Sequence, residues 1–171
     1  MILTCIFIQF CGKNEINKEN YSVIDMLLGW FDKKPPRKIG FEDVKYAIDH
    51  LSTFLLINTL PASEQKCLIK HTLDCHTEET ILNEMMNKYM IDPMTIIVYG
   101  KNAADPTVEK KYHQLVGFGF SDVAMYCGGM FEWMLLQDIY GSTEFPTTNK
   151  ELDILKFKPT KIYGIARIEY C

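Results

Sequence analysis

The 171-residue chain carries 18 lysines and arginines against 22 aspartates and glutamates, a formal charge of −4, and so has no general attraction for nucleic acid or acidic membranes. Its length fits one domain and suffices to bury a core without metal or disulfide staples. Six cysteines, at positions 5, 11, 67, 75, 127 and 171, are too dispersed for a small secreted scaffold, and nothing reads as a cleavable leader; an intracellular, reducing, cytoplasmic setting is expected.

The opening run MILTCIFIQF is apolar but has no preceding positive region and is too short to span a bilayer, so an edge strand or a loosely ordered extension is expected rather than an anchor. Over residues 21–32, Val23, Met26, Leu27 and Trp30 fall on one helical stripe. KKPPRK, residues 33–38, is the one local basic cluster, and its two prolines mark it as a solvated connector between helical segments. Phe41, Val44, Ala47 and Ile48 then predict a short helix, and FLLINTL (54–60) a strand buried on both faces.

Ile81, Leu82, Met85 and Tyr89 predict a helix over residues 78–90, and Asp92-Pro93 turns the chain into the β-branched run 95–99. In IIVYGKNAADP (96–106) that strand ends in a short polar loop. Asp105 can cap the next helix with Pro106 in its first turn; Val108, Tyr112, Leu115 and Val116 form its apolar face, and Gly117 or Gly119 stops it. SDVAMYC follows as a strand and MFEWMLLQDIYG as a helix ended by Gly141. This alternation predicts an α/β fold: a mostly parallel sheet of about five strands with helices on both faces. In the tail, Leu152, Ile154 and Leu155 suggest a short helix and KIYGIARIEY a last strand.

FLLINTLPASE, IIVYG with its polar loop, and above all GFSDVAMYCGGMFEW resemble the rhodanese-like domain, whose closing strand runs into Gly-Gly and a Trp; here these are Val123, Gly128, Gly129 and Trp133, preceded by Gly119-Phe120. The resemblance covers residues 39–141, leaving residues 1–38 as an N-terminal extension and 142–171 as a C-terminal one. Adjacent glycines allow backbone angles closed to other residues and let the chain turn sharply into a helix. The resemblance also implies a place for a nucleophile. Active members carry a cysteine where Gly100 stands, and the following loop turns its N–H groups toward the thiolate, an arrangement that favours anions.

By that resemblance the chain keeps the loop and lacks the nucleophile. The acidic residue and arginine usual after the first strand correspond to Asn58 and Leu60, and a Gly-His-Ile segment to Cys67-Leu68-Ile69. Ordinary thiosulfate sulfurtransfer is therefore not expected, nor is phosphatase chemistry, which needs Cys and Arg in one loop. The expectation is a non-catalytic module of the divergent kind met among small viral and protist members. It would take a protein partner or small anion at Gly100, Lys101, Asn102, Ala103, Ala104, Asp105 and Thr107, with no cofactor, nucleic acid or membrane involved.

Two alternatives stay open. Cys127, ending the strand beside the loop, is either a relocated sulfur-carrying thiol or a small residue buried before a glycine turn. Cys67, His71, Cys75 and His76 include ligand types four apart, a zinc-binding interaction site if helical and ordinary packing otherwise. Glu132 and Asp138, six apart on a helix, fall on different faces and read as surface charges. GFGF lacks the third glycine and the preceding strand of a dinucleotide fingerprint.

Overall fold

The computed structural model describes residues 35–87 and 94–163. The chain divides into two compact units, residues 1–35 and 36–171, and the account below concerns the second. Its elements run β1 (Arg37–Ile39), α1 (Phe41–Asp49), β2 (Phe54–Asn58), a 3-10 turn (Ala62–Glu64), α2 (Cys75–Asn87), β3 (Thr95–Tyr99), α3 (Pro106–Gly117), β4 (Val123–Tyr126), α4 (Gly129–Tyr140) and a second 3-10 turn (Ile154–Phe157).

The strands form one parallel sheet in the order β1-β4-β3-β2. Because side chains alternate across a strand, β3 sends Ile97 and Tyr99 to one face and Ile96 and Val98 to the other. The first face is covered by α1, through Val44, Ala47 and Ile48, and by α4, through Met130, Trp133 and Met134. The second is covered by Leu82 of α2 and by Val108 and Leu115 of α3. Helices therefore sit on both faces, as the alternation predicts.

The sheet has four strands among the described residues, against the five expected. The opening run, the stripe at residues 21–32 and most of KIYGIARIEY lie outside the described residues, and residues 161–163 form no strand. The connector expected at KKPPRK becomes, from Arg37, the edge strand β1, paired with β4 as Arg37 with Ala124 and Ile39 with Tyr126. An edge strand tolerates the basic composition because one rim faces water, and Arg37 pairs with Asp122 at 2.9 Å.

The C-terminal extension packs into the same core. Ile69 and Thr147 form an antiparallel bridge, and Lys70 donates to the Pro146 carbonyl at 3.1 Å. Phe145 and Phe157 are buried with Trp133, whose ring meets Phe145 nearly edge-on. The short helix expected around Leu152–Leu155 is instead the 3-10 turn one step later: Ile154 and Phe157 point inward, while Leu152 and Leu155 are exposed.

Candidate functional site

The loop of residues 100–107 leaves the carboxyl end of β3, at the middle of the sheet, and enters α3. Asp105 caps that helix as expected: Oδ1 accepts from the Thr107 N–H at 3.0 Å and from the Thr107 hydroxyl at 2.6 Å. Oδ2 reaches back across the loop and accepts from the Lys101 N–H at 2.9 Å. One carboxylate thus closes both ends of the loop. Partial burial works to raise the Asp105 carboxyl, but the hydrogen bonds from Thr107 and the Lys101 amide, with the Lys101 charge, outweigh it and hold it below the usual aspartate range.

Two further loop amides are engaged. Ala104 donates to Asn102 Oδ1 at 3.0 Å and Asp105 to the Asn102 carbonyl at 3.0 Å, while Asn102, itself buried, donates through Nδ2 to the Phe157 carbonyl at 2.7 Å. N–H groups turned inward are what the resemblance implies. Here, those of Lys101, Ala104, Asp105 and Thr107 serve the loop's own Asp105 and Asn102. The ammonium of Lys101 lies elsewhere, paired at 2.6 Å with Glu64 of the first 3-10 turn.

Gly100 is closely packed on its side-chain face. A Cβ at this position would meet Asp105 Oδ2 at 2.4 Å, Val108 Cγ2 at 2.7 Å and Thr59 Oγ1 at 2.8 Å. The space of a residue-100 side chain is occupied by the Asp105 carboxylate. Chain order alone does not reveal this, because Asp105 reads fully as a helix cap.

The glycine pair locks the loop from the other side. Gly129 has φ +60°, and a Cβ there would lie 2.4 Å from the Gly100 carbonyl oxygen, so only glycine lets α4 approach this closely. The first amides of α4 use that proximity: Met130 donates to the Gly100 carbonyl at 2.9 Å and Phe131 to the Lys101 carbonyl at 2.8 Å. Of the two carboxylates on α4, Asp138 is exposed as expected. Glu132 differs, folding back over Gly128 beside the buried Tyr126 hydroxyl; burial first, and then that carboxylate, push the Tyr126 phenol up.

Cys127 reaches the mouth of this loop. It is half-buried in a recess of about 170 Å³ shared with Lys38, Asn102, Ala103, Asp105 and Glu109. The four proposed zinc ligands, by contrast, are not gathered. Cys67 is buried and donates to the Asn149 carbonyl at 2.9 Å, and burial raises its thiol against the hydrogen bonds that oppose it. His71 is exposed in a left-handed backbone turn, φ 65°. The ligand atoms that do approach, within 4.8 Å of one another, belong to the adjacent Asp74, Cys75 and His76 at the start of α2. Among the described residues no helix is long and apolar enough to cross a membrane.

No protein-family model matches the chain, and no curated protein is found as a relative. Among solved structures it is similar to the Alr3790 protein of Anabaena sp., at 18% identity over 69% of this chain and 97% of that one, TM-score 0.47. A rhodanese-like domain of Alr3790 aligns at 17% identity over 78% of this chain and 100% of that one, TM-score 0.39. The single-domain sulfurtransferase RDL2 of Saccharomyces cerevisiae aligns at 19% identity over 61% and 94%, TM-score 0.42. At these overlaps the likeness carries no argument about activity.

Proposed function

We propose that the chain is a non-catalytic rhodanese-like module whose former active-site loop is a binding surface for a protein partner. The observation that carries this reading is the Asp105 carboxylate lying 2.4 Å from where a residue-100 Cβ would stand, which leaves no room for a nucleophilic side chain at the end of β3. A loop with four of its amides internally paired is a preformed surface, a sound basis for recognition because little order is lost on binding. The same pairing counts against a small anion held by those amides.

The recess around Cys127 favours one second reading, a sulfur carrier. In that chemistry the Cys127 thiolate attacks the outer sulfur of thiosulfate, the S–S bond breaks, and sulfite leaves with the bonding pair. Lys38 and Glu109 face the same recess with opposite charges, so it holds no cluster of cations to draw in an anionic donor.

Incubation of the reduced protein with thiosulfate, followed by intact and peptide mass spectrometry, separates the two. The expected result is no added sulfur on any cysteine, with an active rhodanese labelled in parallel. Stoichiometric sulfur on Cys127, lost in Cys127→Ser, would overturn the non-catalytic reading.

A further inference from the structure

Residues 155–162 run past the outer side of the loop and form with it a cleft of about 610 Å³. Lysines dominate its charged lining: Lys101, Lys156, Lys158 and Lys161, against Asp105 as the one carboxylate. Two of the four are already neutralised, Lys101 by Glu64 and Lys156 by Glu151. Lys158 and Lys161 are exposed and have no carboxylate partner among the described residues. In a chain of net charge −4, two uncompensated cations in one cleft form a local field of the opposite sign to the molecule.

The single carboxylate does not cancel that field at short range. Both oxygens of Asp105 are turned into the loop, toward Lys101 and Thr107. Between the lysines, Pro106, Leu155, Pro159 and Ile162 supply apolar wall. The cations are strung along the chain rather than converging on one point: Lys158 has extended angles, φ −58° and ψ 152°, and Pro159 follows it. A phosphate or sulfate is held by converging amides, and this loop turns four of its own to Asp105 and Asn102. A single-stranded nucleic acid stacks its bases on aromatic side chains, and the lining of this cleft holds none. A strand of peptide with carboxylates on one side and apolar side chains on the other matches both the charge and the walls.

We propose that this cleft binds an extended acidic peptide segment of a partner protein, with Lys158 and Lys161 as the residues that select its carboxylates. The assignment rests on the loop being a binding surface and adds the chemistry of what it takes.

Fluorescein-labelled poly-glutamate, titrated against the full chain by anisotropy, provides the test, with inorganic phosphate and an oligothymidylate as competitors. Binding is expected to weaken as salt rises and to fall by about tenfold or more in Lys158→Glu/Lys161→Glu, since charge reversal at an interface replaces attraction with repulsion. Lys158→Ala/Lys161→Ala, at exposed positions where folding is retained, should fall between the two. No poly-glutamate binding, binding indifferent to both double variants, or displacement by phosphate or oligothymidylate at equal charge concentration would overturn the proposal. Sulfur transfer onto Cys127 would remove the non-catalytic reading while leaving these titrations unchanged, so the two failures are distinguishable.

Discussion

Asp105 divides one carboxylate between two tasks, one oxygen capping α3 and the other closing the loop at Lys101. Its position also makes residue 100 a glycine for steric reasons, which couples two residues five apart in sequence. Gly100→Ala is expected to cost about 1–3 kcal/mol, the range for forcing an extra group into a packed site. Asp105→Ala should cost about 1–2 kcal/mol through loss of the cap. The double variant should be less damaged than the sum by about 0.5 kcal/mol or more, because removing the carboxylate frees the space the new methyl needs. Urea unfolding of the four proteins measures this; strict additivity would mean the two positions do not compete for space.

Among the elements, the junction of β4 and α4 determines how the loop is held. The first amides of α4 find acceptors on the carbonyls of Gly100 and Lys101, where a helix N-terminus ordinarily has water or a capping side chain. Gly129→Ala forces a left-handed backbone onto alanine and drives its Cβ toward the Gly100 carbonyl, so a loss of more than about 2 kcal/mol is expected. Gly117→Ala, in the last turn of α3 with no neighbouring atom within 4 Å of its added Cβ, should change stability by less than about 1 kcal/mol and in the stabilising direction. Paired thermal melts of the two variants check the contrast. Equal effects would mean that helix propensity, rather than the approach to the loop, governs both sites.

The whole molecule depends on its C-terminal extension more than the chain order suggests. Phe157 is fully buried against the α1 and α4 face, and its carbonyl receives the Asn102 side chain, so the extension is tied to the loop as well as to the core. Phe157→Ala is expected to cost about 3–5 kcal/mol, as for other fully buried aromatics, and a chain ended at Gly141 should fail to fold cooperatively because Phe145 goes with it. Denaturant midpoints decide this; an unperturbed midpoint in Phe157→Ala would show the extension to be dispensable.

Side-chain spacing and capping chemistry determined the α/β class, the strand at 95–99 and the cap at Asp105, because each is a local consequence of the residues themselves, whereas Gly129 and Trp133 stood out through the family resemblance. Three matters were settled only by tertiary structure. That the basic stretch at Arg37 is an edge strand follows from an open rim of β4, which its own composition does not announce. That the four candidate zinc ligands do not gather follows from Cys67 turning into the core and His71 lying exposed, while Cys75 and His76 approach Asp74 instead. That Gly100 is empty because Asp105 fills it, and that distant lysines border the same loop, depends on contacts between residues five and more than fifty positions apart. Such contacts are set by how the loop folds back on itself and how the layers close over the sheet, which side-chain spacing along the chain does not express.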